Sequence, residues 1–207
     1  MKSMPPSVIP LPEGALETVQ VIDIFYDLIS SVISRESRWN TDGTDEAVNL
    51  YHALNYAGEV NNGGHEQYFQ NNANQTPIYK SASNGLTMIS AHRHARLIET
   101  MIVWAEEHPE EVAATLESPI PPTLERLDDL YFEISKNCSV RKLAHEWLRR
   151  SPKVRVIPEE DFYKLLFHYQ AEARARYDAC VQTSASAKSE RRGLWNRVID
   201  AIKKRGV

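Results

Sequence analysis

The sequence has few of the residues that build secreted, membrane or disulfide-stabilised proteins. Only two of its 207 residues are cysteines, Cys138 and Cys180, whereas small secreted domains carry regularly spaced cysteines. This scarcity favours a reducing compartment, and we expect a cytoplasmic protein. The first twelve residues hold four prolines and no apolar run of about 7–15 residues, the hallmark of a signal peptide. Every longer apolar stretch is interrupted by Asp, Ser or Arg, so we expect no contact with a membrane.

The chain also lacks the spacings of common catalytic and metal-binding motifs. It contains no His-Glu-x-x-His, no Cys-x-x-Cys and no Gly-x-Ser-x-Gly, so neither a zinc site nor a nucleophile elbow is predicted. His92 and His94 are two residues apart and point about 200° from each other on a helix. Asp128 and Asp129 are adjacent, so they do not form an acid/base pair. We therefore predict no catalytic residue, no metal and no cofactor.

Cys138 is the one weak candidate for a nucleophile. It directly precedes a predicted helix, where a thiol can become reactive. A small apolar side chain at a helix start is the simpler interpretation of the same position, so we expect the protein not to be an enzyme.

Charge is unevenly distributed along the chain, although the net charge is only −4. Residues 1–120 carry sixteen acidic and six basic side chains, whereas residues 121–207 carry twelve acidic and eighteen basic ones. This asymmetry is typical of a charged partner surface or of head-to-tail self-association. Ordinary scatter of surface charge on a helical protein explains it equally simply.

Apolar residues recurring at spacings of three and four predict an all-α fold, a single compact multi-helix domain with a C-terminal amphipathic helix. Val154–Ile157 is the only predicted strand. The helices are expected from Leu16 onward, from a cap at Thr44 or Asp45 to about Asn61, over 65–71, from Pro77, over 91–107, from Pro109, and over 123–135, 140–149, 159–180 and 191–204.

Proline and small polar residues predict the boundaries within the chain. Residues 1–14 are interpreted as an N-terminal tail and residues 15–182 as the helical domain, with a candidate subdomain joint at the proline-rich segment 118–122. Residues 183–207 are interpreted as a flexible joint followed by a basic amphipathic helix. That helix either packs on its own domain or docks on a partner or an anionic membrane.

The most specific pattern in the chain is residues 60–72, Val-Asn-Asn-Gly-Gly-His-Glu-Gln-Tyr-Phe-Gln-Asn-Asn. The two glycines predict a turn between two helices, with at least one glycine at positive φ. Gln67 and the asparagines can bond to carbonyl groups left open at the helix ends. Tyr68 and Phe69 are predicted to bury at least one deep core side chain. These roles explain the motif structurally, although its polar groups could also hold a polar ligand.

This segment resembles the core motif of the DNA-mimic protein family, whose related domain is otherwise of unknown function. In that family an Asn-Gly-Gly turn is followed by an aromatic residue, then Gln-Tyr-Phe and an asparagine. His65 differs from the family, which usually has an aromatic at this position. The resemblance covers roughly residues 51–137, including 127–132. The matching residues here are Asn62, Gly63, Gly64, Gln67, Tyr68, Phe69 and one of Asn71 and Asn72.

The resemblance implies a bacterial-type protein–protein interaction module that binds a basic protein, such as a DNA-binding regulator, through an acidic face. The candidate partner-binding residues are Glu13 with Glu17 and Asp23 with Asp27, two pairs of like charges spaced at four. Closely spaced negative charge is what duplex DNA presents. We expect the acidic half not to bind duplex DNA itself. A net charge of −4 is mild for a mimic, and the oligomeric state is left open.

A second interpretation places a small-molecule site or an enzyme active site at the motif. Its polar pocket would contain Asn62, Gln67 and Tyr68, with His65 or His92 beside them. A concave pocket with convergent polar groups would favour this second function. A shallow, acidic, convex surface would favour the first.

Overall fold

The computed structural model describes residues 8–33, 45–72, 75–114, 120–175, 177–179 and 181–182. Within these ranges the chain is mostly helical, which confirms the all-α prediction. The elements are β1 (Ile9–Pro12), a 3₁₀ turn (Ala15–Glu17), α1 (Val21–Val32), α2 (Glu46–Asn71), α3 (Thr76–Met88), α4 (His92–Glu107), α5 (Pro109–Ala114), α6 (Pro122–Ser135), α7 (Val140–Arg150), β2 (Val154–Ile157) and α8 (159–175).

Helix α2 lies at the centre of the fold, because it packs against α1, α3, α6 and α7. Helix α4 covers α3 and also contacts α6. The core between them is rich in aromatic rings rather than only in aliphatic side chains. Its largest fully buried residues include Tyr51, Tyr56, Tyr68, Tyr79 and Tyr131. Each buried tyrosine contributes a large apolar area but brings a hydroxyl that must be satisfied inside the protein.

Local capping signals place most helix starts where the sequence predicts them. The Asp45 carboxylate accepts the backbone N–H groups of Ala47 and Val48 at 2.9 and 3.2 Å and so caps α2. Proline occupies the first turn of α3, α5 and α6, where its missing N–H costs nothing. Thr44, the other predicted cap of α2, lies outside the described residues.

The first helix begins later than predicted, at Val21 rather than near Leu16. Gly14 has a left-handed φ of 74°, and Thr18 is extended with φ −133° and ψ 157°. A 3₁₀ turn separates these two breaks. The expectation that Glu13 and Glu17 are one turn apart on an α-helix is therefore wrong, whereas Asp23 and Asp27 do share α1.

Residues 9–12, interpreted from the sequence as part of a tail, form strand β1. This strand pairs in parallel with β2, with Ile9 beside Val154 and Pro12 beside Ile157, so the predicted strand Val154–Ile157 is confirmed. Ile9 donates its N–H to the Lys153 carbonyl at 2.7 Å. The two prolines of β1 alternate with the residues that donate to β2, so no bond of the two-stranded sheet is lost.

The two ends of the helical chain differ in how much the structure describes. Helix α8 follows β2 as predicted, with Phe162 and Leu166 buried. The candidate joint 118–122 is described only from residue 120, and the joint and amphipathic helix predicted at 183–207 lie outside the described residues. Within the described part of the chain, no helix is both long enough and apolar enough to cross a membrane.

Candidate functional site

The Asn-Gly-Gly motif forms a kink inside α2. Gly63 (φ −154°, ψ 26°) and Gly64 (φ 75°, ψ −176°) leave helical geometry, and the helix resumes at His65. The prediction of a positive φ is confirmed at Gly64. The predicted end of the helix and the sharp reversal are wrong, because residues 65–71 continue α2 beyond the kink.

A chain of three side chains holds this kink. Oδ1 of Asp128, on α6, accepts the backbone N–H of His65 at 2.7 Å and lies 2.6 Å from its Nδ1. Nε2 of His65 lies 2.9 Å from the Tyr56 hydroxyl. With Nδ1–H donating to the carboxylate, Nε2 is the acceptor for the Tyr56 O–H. The arrangement satisfies a buried imidazole and joins α2 to α6.

The same contact explains why glycine occupies position 64. A Cβ added there would overlap the Asp128 carboxylate, and the positive φ disfavours any other residue. His65 thus stands where an aromatic residue is expected from the family motif, and it is both fully buried and hydrogen-bonded. Asp128 is 63 residues away in sequence, so spacing alone could not reveal their contact.

The carboxylate–imidazole–hydroxyl order is that of a catalytic triad, but its hydroxyl cannot act on a substrate. Tyr56 is fully buried. Burial, followed by the nearby Tyr131, Tyr68 and Asp128, raises the pKa of Tyr56 well above its usual value. The phenol therefore stays protonated and donates to His65 at neutral pH. We interpret the chain as a structural lock rather than as an active site.

The asparagines of the motif partly play the predicted capping role. The Asn61 amide donates to the Ala57 carbonyl at 2.6 Å and to the Tyr131 hydroxyl at 3.1 Å, just before the kink. The Asn72 amide donates to the Tyr68 carbonyl at 2.7 Å and closes the end of α2. These bonds satisfy carbonyls that the broken helix leaves open.

Gln67 and Asn71 bind a carboxylate instead of helix-end carbonyls. Both donate to Oε2 of Glu59, at 2.6 and 2.7 Å, from the next segment of the same helix. Glu59 therefore bridges the two sides of the kink. Its position outside the motif explains why motif comparison missed it.

The pocket proposed from the sequence is not assembled. Tyr68 and His65 are fully buried, Asn62 is exposed on the other side of the kink, and His92 is exposed at the start of α4. A ligand in solvent cannot reach these groups together. The prediction that Tyr68 and Phe69 supply core side chains is confirmed, since they are 0% and 3% exposed.

An open depression of about 310 Å³ does lie beside the motif, between α1, α2 and α7. Its charged groups are already engaged, because Arg141 holds both oxygens of Asp23 at 3.0 and 2.9 Å, and Glu59 holds two amides. The residues that line it are Ile22, Asp23, Tyr26, Leu54, Asn55, Ala57, Gly58, Glu59, Asn61, Asn62 and Arg141.

The four acidic residues predicted to bind a partner are all exposed. Asp23 forms an ion pair with Arg141 at 2.9 Å. Within the described residues, Glu13, Glu17 and Asp27 form no ion pair. Three of the four carboxylates are therefore available to a basic surface without first breaking an internal contact.

One group of side chains in the described part of the chain has the separations that a metal ion needs, namely His108, Glu110 and Glu111. Nδ1 of His108 lies 3.6 and 3.7 Å from the two carboxylates, and all three side chains are largely exposed. Such groups are common on protein surfaces without an ion. Glu111 also accepts the indole N–H of Trp104 at 2.9 Å, which gives it a structural role.

Comparison with known proteins connects this geometry to a family. Residues 42–151 match the family model described as DMP19-like protein, and this match includes the kink and Asp128. It covers just over half of the chain. No curated protein and no solved structure matches the chain.

Proposed function

This chain belongs to the DMP19-like protein family, and from that membership we propose that it is a DNA-mimic-like interaction module. It binds a basic surface of another protein, such as a DNA-binding regulator, and catalyses no reaction. The family match over residues 42–151 is the observation that carries this proposal.

Exposed acidic residues support the proposed mode of binding. Glu13, Glu17 and Asp27 present carboxylates to solvent, and Asp23 extends their charge along α1. Complementary charge mainly speeds association and selects partners. Binding of this kind weakens as ionic strength rises, because salt screens exposed charges.

A charge-reversal experiment tests the proposal. Partners are captured on the immobilised full chain from the native cell extract, identified by mass spectrometry and purified for affinity measurements at low and high salt. We expect the variant with Glu13, Glu17, Asp23 and Asp27 changed to lysine to lose most of its affinity at low salt. The matched control changes four exposed acids of the other half to lysine, namely Glu125, Asp129, Glu133 and Glu159.

The comparison of the two variants decides the outcome. Both change the net charge equally, so a loss confined to the first variant locates the binding surface. Equal capture by wild type and by the first variant at low salt would reject the mimic function. Circular dichroism of both variants shows whether the domain is still folded.

The depression beside Asn61 and Asn62 supports one alternative function, the binding of a small polar molecule. Screening metabolites for thermal stabilisation of the chain tests it. A ligand that stabilises wild type but not Asn62→Ala would favour this alternative. Asn71→Ala is a suitable control, since Asn71 contacts Glu59 but does not line the depression.

A further inference from the structure

Helix α8 lies largely apart from the helical body once it has passed its first turns. Phe162 and Leu166 are buried and Tyr169 packs against the core. From residue 170 onward every described side chain is exposed, except the half-buried Ala173. An isolated helix of this length is only marginally stable in water, so the exposed turns need a packing partner.

The outward side of this helix carries a stripe of large apolar residues. Tyr163, Phe167, Tyr177 and Val181 are 43%, 64%, 61% and 48% exposed. At 100° per residue their directions fall within about 80° of one another, and the Tyr163 and Phe167 rings lie 6.3 Å apart. Together with two polar positions, 170 and 174, they follow the alternating spacing of four and three that packs a second helix.

We propose that the chain's own C-terminal segment, residues 191–207, packs antiparallel on this stripe and forms a helical hairpin. The segment presents a complementary apolar face at Leu194, Trp195, Val198, Ile199 and Ile202. Eight residues, 183–190, join it to α8. They span up to about 27 Å when extended, whereas paired helix axes are about 8–10 Å apart.

Two further observations favour this occupant over a second protein. Residues 159–182 hold five acidic and three basic side chains, and residues 183–207 hold two acidic and seven basic ones, so the two segments attract each other. A short flexible connection also gives an effective concentration in the millimolar range. The family match ends at residue 151, so the hairpin is an addition to the family domain.

Hydrogen–deuterium exchange of the full chain tests this packing. In wild type we expect backbone amides of residues 170–182 to be protected. Val198→Asp with Ile202→Asp should speed their exchange about tenfold or more, because the hairpin opens locally. Arg197→Gln with Lys204→Gln changes the net charge by the same two units on the polar side of the segment, and it should leave the exchange unchanged.

A second variant examines the same contact from the other side. Tyr177→Asp with Val181→Asp should release the amides of residues 194–202, while protection of the body at 46–71 stays as in wild type. Unprotected wild-type amides at 170–182 would overturn the proposal, as would protection that survives Val198→Asp with Ile202→Asp. Protection that rises with protein concentration, together with a doubled mass in solution, would show that a second copy covers the stripe instead.

Discussion

Helices α2 and α8 both place aromatic residues at spacings of three and four, yet only one of them buries most of these residues. Tyr56 and Tyr68 of α2 are 0% exposed, whereas Tyr163 and Phe167 of α8 are about half exposed. The difference comes from their neighbours, because α2 is enclosed by four other helices. The spacing determines that a helix is amphipathic, and the tertiary neighbours determine what an aromatic residue contributes to stability.

The largest expected effect tests this comparison with one substitution in each helix. Phe69→Ala should lower the free energy of unfolding by about 3–5 kcal/mol, because a buried ring is lost and a cavity remains. Phe167→Ala should change the unfolding of the body by less than about 1 kcal/mol. Chemical denaturation measures both values. Equal costs would mean that the two helices are equally enclosed.

Two glycines sharpen the comparison between enclosed and open positions. A Cβ at Gly85 would overlap the backbone carbonyl of Asn49, where α3 crosses α2, whereas a Cβ at Gly58 would meet nothing within 4 Å. We expect Gly85→Ala to cost about 1–3 kcal/mol through overpacking. Gly58→Ala should be neutral or stabilise the helix by up to about 1 kcal/mol. Thermal unfolding of the two variants tests this, and a harmless Gly85→Ala would contradict the close crossing.

The lock at the kink is tested by a pair of adjacent aspartates. Asp128→Asn should cost about 1–3 kcal/mol, because the charged acceptor of two His65 N–H groups is lost. Asp129 is exposed, so Asp129→Asn should change stability by less than about 0.5 kcal/mol. Both variants are compared by urea denaturation. A similar small effect of the two changes would show that the Asp128 contact adds little.

The smallest effect concerns acid sensitivity inside the core. His94 lies 3.1 Å from the Ser135 hydroxyl, and its burial, followed by the charge of Arg93, lowers its pKa from 6.5 to about 4. The unfolded chain therefore takes up this proton first. Its contribution to stability is complete above about pH 6.5 and is lost as the pH falls toward 4. We expect about 1–2 kcal/mol to disappear between pH 7 and pH 5.

The measurement compares stability at these two pH values in two variants. His94→Gln should remove this part of the pH dependence. His92→Gln, at an exposed position two residues earlier, should keep it. If wild type and His94→Gln lose the same stability between pH 7 and pH 5, the buried histidine is not responsible.

Much of the helical organisation was predictable because its causes are local. Asp45 and the prolines at the starts of α3 and α5 act within one turn of their own helix. The kink was only half predictable. Glycine at 64 indicates a positive φ, but whether the chain reverses or resumes its helix depends on Asp128, which is supplied by α6.

The sequence by itself determined the helices, their caps, the buried aromatic residues of the motif and the unequal distribution of charge. These features depend on side-chain chemistry over a few residues. Only the tertiary structure decided that residues 9–12 form a strand, since the partner strand lies about 145 residues away. It likewise decided that His65 is held by Asp128 and that Asp23 is paired with Arg141. Contacts between distant residues depend on how the helices pack, and no spacing along the chain records them.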